Sequence, residues 1–185
     1  MQYENTVMKK LLSLFLFSPF LGLAQDCNIK DEKDQFNQDP RLTTGFKDFS
    51  GGSEEFLFSI TADKRDIDLF FSLSTANGIC FDDFSRAVVV FEGGKQRATF
   101  RNGGTTNCKG NFHFVFKNQA TLHTQLTNLS LKKIQSITLT GNNEKKSELT
   151  PTNEEQEMIL AMINCMLKEL EFLRTDTWKT KPKQN

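Results

Sequence analysis

From Phe56 to Leu139 the chain is cut into short apolar runs, and this segmentation limits its fold more than any other feature. The runs are Phe56 to Ile60, Ile67 to Ser74, Ala87 to Phe91, Arg97 to Arg101, Phe112 to Phe116, Leu122 to Leu126 and Ile134 to Leu139. Each is five to eight residues of mainly aromatic and β-branched side chains, stopped by Gly, Asn, Asp or Ser. That is the pattern of strands and turns. In Phe112-His113-Phe114-Val115-Phe116 the three Phe share one face and His113 and Val115 the other, because side chains alternate along a strand. Val88 to Phe91 and Arg97 to Phe100 flank Glu92-Gly93-Gly94-Lys95, whose glycines suit a tight hairpin turn. Consecutive strands with short connections pair with their neighbours, so the expectation is an antiparallel meander of about 6–7 strands.

One strong helix follows the polar connector Asn142 to Ser147. Thr152-Asn153-Glu154-Glu155 has the form of a capping box, and Glu154, Glu155 and Glu157 lie at the positive end of the helix dipole. Ile159, Met162, Ile163, Met166, Leu170 and Leu173 recur at spacings of three and four, giving one apolar stripe from which Lys168 and Glu169 lie apart. The sequence therefore predicts an α+β fold with this helix, Thr152 to Leu173, packed across one sheet face. Residues 175–185, with Lys179, Lys181, Pro182 and Lys183, read as a frayed tail.

At the other end, Lys9-Lys10, the apolar stretch Leu11 to Leu23 and the small-x-small exit Gly22-Leu23-Ala24 have the order of a secretory signal cleaved after Ala24. The apolar stretch is about 13 residues, short of the roughly 20 that a spanning helix needs, so no membrane anchor is expected after cleavage. Glu4 fits a signal poorly, which makes Met8 the better start. Cys27 stands two places too late to be a lipidated first residue. Residues 25–54 read as a polar lead-in and 55–174 as a single domain.

An exported chain with an even number of cysteines reads as disulfide-bonded. Four cysteines allow three connectivities; the favoured one is Cys80–Cys108, which brackets one compact stretch, with Cys27–Cys165 tying the mature amino terminus to the last helix. In the chain-entropy model these closures are worth at most ~3.6 and ~5 kcal/mol. The absence of any C-x-x-C spacing argues against a four-cysteine metal site. Of 18 phenylalanines, 15 follow the signal, beside one tryptophan and no tyrosine. Phe lacks a polar handle and serves cores, whereas sugar and antigen platforms draw on Trp and Tyr. Removing residues 1–24 takes away Lys9, Lys10 and Glu4 and leaves 21 basic against 22 acidic residues, so whole-chain charge implies no nucleic-acid or acidic-lipid partner.

No assembled catalytic, cofactor or metal signature emerges. His113 and His123 lie on separate expected strands, without H-E-x-x-H or H-x-x-H spacing, and each reads as a strand histidine. There is no G-x-S-x-G elbow. Asp63, Asp66 and Asp68 surround a strand start and Asp82-Asp83 follow Cys80; neither group has calcium-loop spacing, and both read as turn acids. Gly93-Gly94 and Gly103-Gly104 read as turn glycines, not phosphate loops. Asn128-Leu129-Ser130 is a glycosylation sequon on an expected turn.

The Lys-Lys signal ending Leu21-Gly22-Leu23-Ala24-Gln25, the Phe-rich β domain and the Cys-bearing closing helix resemble the layout of uncharacterised small exported proteins of Bacteroidota-type bacteria. That resemblance implies no particular activity. The C-terminal β sorting module of such bacteria's secreted cargo is not seen, which directs the expectation to the periplasm. The function expected is a non-enzymatic binding or envelope-associated role with a protein or envelope ligand, needing no cofactor. The alternative is a hydrolase-like enzyme whose carboxylates converge only in the fold.

Overall fold

The computed structural model describes residues 28–33, 39–75, 78–117 and 124–175. The expected signal (1–24), Met8, Cys27, His123 and tail residues 176–185 lie outside them. The elements are β1 (Lys30–Lys33), β2 (Pro40–Thr43), β3 (Lys47–Phe49), β4 (Phe56–Ala62), β5 (Ile67–Leu73), β6 (Arg86–Phe91), β7 (Arg97–Arg101), β8 (Asn111–Phe116), α1 (Thr124–Leu131), β9 (Ile134–Thr140), β10 (Lys146–Leu149) and α2 (Asn153–Arg174). The class is α+β: antiparallel strands with a C-terminal helix packed against them. No described helix is long and apolar enough to cross a membrane.

The described strands divide between two sheets. One has the order β1-β2-β4-β5-β8, with β3 also paired to β4, and the other the order β10-β9-β6-β7. This differs from a single meander of about 6–7 strands, and the reason is burial. Ten phenylalanines are buried, seven of them on strands of the larger sheet. The smaller sheet adds cover beyond what α2 supplies, turning Phe91 and Phe100 inward. Phe100 of β7 stacks on Phe114 of β8 with ring centroids 4.3 Å apart, and Phe81 meets Phe112 edge-on at 5.1 Å. Elsewhere α2 contacts β2, β4, β9 and α1, reaching both sheets.

Several elements follow the sequence closely. The β6–β7 hairpin turns through Gly93 and Gly94 at φ of +79° and +69°, closed by the Phe91 N–H donating to Gln96 O. In α2, Thr152 is the N-cap of a complete capping box, and Ile159, Ile163, Met166, Leu170 and Leu173 are buried. Other expectations are corrected. Residues read as a lead-in supply β1, β2 and β3, and the connector before α2 supplies the first half of β10, Lys146 and Ser147. The run Leu122 to Leu126 is no strand from Thr124 on: it enters α1, which buries Leu126 and Leu129, three residues apart on one helical face. The sequon Asn128 accordingly sits within a helix rather than on a turn. Glu169, expected away from the stripe, is buried at 7% exposure.

A bulge explains why the polar amino-terminal stretch reaches the core. Leu42 and Thr43 face Ala62 and Thr61, whereas Lys47, Asp48 and Phe49 face Phe58, Leu57 and Phe56. One extra residue is therefore taken up between Thr43 and Lys47. Gly45 adopts φ +66° there, its N–H donating to Thr43 Oγ1 while the Ile60 N–H donates to Thr44 Oγ1. The extra residue shifts the alternation so that Leu42 and Phe49 both point inward. Phe46 remains outside, 64% exposed, with its ring edge-on to Phe70 at 5.8 Å.

Candidate functional site

The polar site with the most developed geometry lies on the outer face of the larger sheet. Along β5 the odd residues Ile67, Leu69, Phe71 and Leu73 are buried, which places Asp68 and Phe70 on the opposite face. β8 pairs Phe70 with His113 and Asp68 with Val115, so Asp68 and His113 are diagonal neighbours. Their side chains meet, His113 Nδ1 to Asp68 Oδ2 at 2.8 Å, with 25% and 27% of each exposed. An ionised carboxylate only accepts, so Nδ1 carries the proton. The imidazole rests on the Phe70 ring at 4.7 Å between centroids.

The chain leaving β7 closes over this pair. The Gly103 N–H donates to His113 O, and the His113 N–H donates to Asn102 Oδ1. A Cβ on Gly103 would lie 2.6 Å from Val115 Cγ2, and one on Gly104 would overlap the His113 ring. These glycines, read from sequence as turn residues, serve close approach instead.

Beside the pair is an open depression of about 270 Å³, bordered by Asp39, Arg41, Thr61, Asp63, Asp66 and Asp68 among others. The fold thus brings Asp63, Asp66 and Asp68 together and adds Asp39. Asp63 is a turn acid, as read: its Oδ1 accepts the N–H groups of Arg65 and Asp66, both at 2.7 Å. Arg41 donates to Thr61 Oγ1 at 3.2 Å. Asp68 Oδ1 is buried without a hydrogen-bond partner. Among the described residues no group of three or more His, Cys, Asp or Glu is arranged to hold a metal ion.

Asp82, the other acid singled out by sequence, also serves a turn. Its Oδ1 accepts from the Phe84 N–H, the Ser85 N–H and the Ser85 hydroxyl at 2.9–3.0 Å. Burial pushes this carboxyl up, but the Ser85 hydroxyl, the Phe84 N–H, the Asn142 side chain and the Ser85 N–H together hold it below its ordinary value. Asp83 is exposed beside it. Cys80 and Cys108 are joined by a disulfide, reinforced by the mutual backbone pairing of Phe81 and Asn107. The second expected pairing, Cys27–Cys165, cannot be followed because Cys27 lies outside the described residues; Cys165 itself is not free.

Sequence reading placed His113 correctly on the face opposite the three Phe but did not find its partner. β5 and β8 are separated by β6, β7 and their loops, so nothing local signals that Asp68 lies beside His113. No protein-family model, no curated protein and no solved structure matches the chain.

Proposed function

We propose that the protein is exported and acts without catalysis, binding a partner at the cell envelope. The observation that carries this reading is the use to which the gathered carboxylates are put. Asp63 and Asp82 hold backbone N–H groups, and Asp68 holds His113. Asp63 and Asp82, committed to backbone N–H groups, anchor turns rather than standing free as a general acid and base. Binding pockets for small molecules are mostly apolar clefts of about 300–1,000 Å³. The depression at Asp68 is smaller, and the larger ones, about 400 Å³ beside Ser53, Glu54 and Glu148 and about 460 Å³ beside Thr99, Arg101 and Gln125, are open and bordered mainly by polar surface. Export is supported by the Lys9 to Ala24 layout and is compatible with the Cys80–Cys108 disulfide. The same layout supports membership among the small exported proteins of Bacteroidota-type bacteria and a periplasmic address.

The second reading, a hydrolase using converging carboxylates, has one specific point in its favour: Asp68, whose buried Oδ1 has no hydrogen-bond partner, borders the same depression as three further aspartates. One experiment separates the two. Protein with residues 1–24 removed is used to capture partners from envelope extract and is assayed on chromogenic glycosides and esters, alongside Asp66→Asn and Asp68→Asn. The binding reading expects capture by all three proteins and no turnover. Turnover that disappears in both variants would establish the hydrolase.

A further inference from the structure

The outer face of the smaller sheet has a charge pattern that its folding does not explain. Inward residues of β6, β7, β9 and β10, such as Val89, Phe100, Ile137 and Leu149, are buried. The alternate residues face out. Strand register places Arg101, Arg86, Thr140 and Lys146 in one row across the four strands, and Thr99, Val88, Thr138 and Glu148 in the next. Arg97 lies farther along β7 on the same side. Four cations thus share this face with one acid. Arg86 and Arg101 stand directly opposite each other, an arrangement that costs stability in an antiparallel pair. None of the four cations is engaged by a carboxylate or other acceptor among the described residues. The chain carries no net charge, yet its acids gather on the larger sheet at Asp63, Asp66 and Asp68.

We infer that this face binds an extended anionic polysaccharide bearing carboxylate or sulfate groups. Neighbouring strands are about 4.8 Å apart, so the row from Arg101 to Lys146 spans about 14 Å and presents its charges in a line. A flexible chain with regularly recurring anions matches such a line, and the hydroxyls of Thr99, Thr138 and Thr140 add donors and acceptors for sugar hydroxyls. Single-stranded nucleic acids call for aromatic stacking platforms, whereas this sheet turns its phenylalanines Phe91 and Phe100 inward. This partner class presupposes the binding role proposed above.

The test measures the affinity of the mature protein for size-defined heparin fragments, as a sulfated probe, and for polygalacturonate, as a carboxylated one. Arg86→Glu with Arg101→Glu is expected to weaken both about tenfold or more and to flatten the dependence on salt. Lys47→Glu with Lys168→Glu makes the same change in net charge away from this face and is expected to cost less than about twofold. Arg86→Glu alone places opposite charges across the β6–β7 pair, so it should melt no earlier than the parent while losing affinity. Equal losses in the two double variants would overturn the inference, as would loss only in variants that melt earlier. Tighter binding to a DNA duplex, or to phosphatidylglycerol vesicles through the 74% exposed Phe84, would overturn it too. Phe84→Ala measures the vesicle route. Undiminished envelope capture by the Arg86→Glu, Arg101→Glu protein would overturn this assignment and leave the binding role standing, whereas glycoside or ester turnover would remove that role.

Discussion

Glu155 shows how much one side chain can hold together. Its carboxylate completes the capping box by accepting from the Thr152 N–H at 2.8 Å, and it also accepts the Gly51 N–H at 2.9 Å from the loop between β3 and β4. Burial pushes the carboxyl up, but the N–H groups of Gly51 and Thr152, the Thr152 hydroxyl and the Ser50 N–H outweigh it and hold the group below the ordinary glutamate value of 4.5. A depressed folded value means that Glu155 stabilises the protein fully above the ordinary value and ceases to do so as pH falls through the lowered one. Melting temperatures across that range should show the parent more stable than Glu155→Gln near neutrality, with the gap closing in acid. The neighbouring glycines are as demanding: a Cβ on Gly52 would collide with the Thr150 carbonyl, and Gly45 sits at φ +66°. Gly45→Ala should cost about 1–2 kcal/mol by denaturant titration, the strain of a left-handed L-residue.

Among the elements, α2 was the most legible and α1 the least. The α2 stripe repeats over 22 residues with a cap at its start, so period and boundary agree. Ile163→Ala should cost about 2–5 kcal/mol by urea midpoint, since Ile163 is buried against both α1 and the larger sheet. Lys168→Ala should stay within about 0.5 kcal/mol, and Thr152→Ala should lie between them at about 1 kcal/mol. Glu169→Ala no longer belongs with Lys168: a glutamate whose residue is 7% exposed is part of the packed face, and its loss should exceed that of Lys168. α1 read as a strand and a turn because eight residues are too few for a helical period to outweigh β-branched Thr124 and Thr127. β1, β2 and β3 were missed because each is only three or four residues long and carries charge, leaving too few alternate apolar positions to mark a strand.

On the scale of the whole molecule, the two sheets are joined by aromatic packing and the Cys80–Cys108 disulfide fastens the segment that passes between them. Replacing both cysteines by alanine should lower stability by at most ~3.6 kcal/mol in the chain-entropy model, measurable as a lower urea midpoint under oxidising conditions. Sequence alone determined the strand-rich class, the β6–β7 turn, the capped closing helix and the inward face of β8. These are properties of spacing, set by alternation, helical period and turn chemistry within neighbouring residues. Of the three cysteine connectivities that sequence left open, the fold forms the favoured Cys80–Cys108 bond. Tertiary structure alone decided that the strands form two sheets, because pairing between strands distant in the chain leaves no local signal. It alone brought Asp68 to His113 across the excursion through β6 and β7. It also separated the charges of a neutral chain into an acidic depression on one sheet and a row of arginines and lysine on the other, since strand register, not composition, determines which side chains share a face.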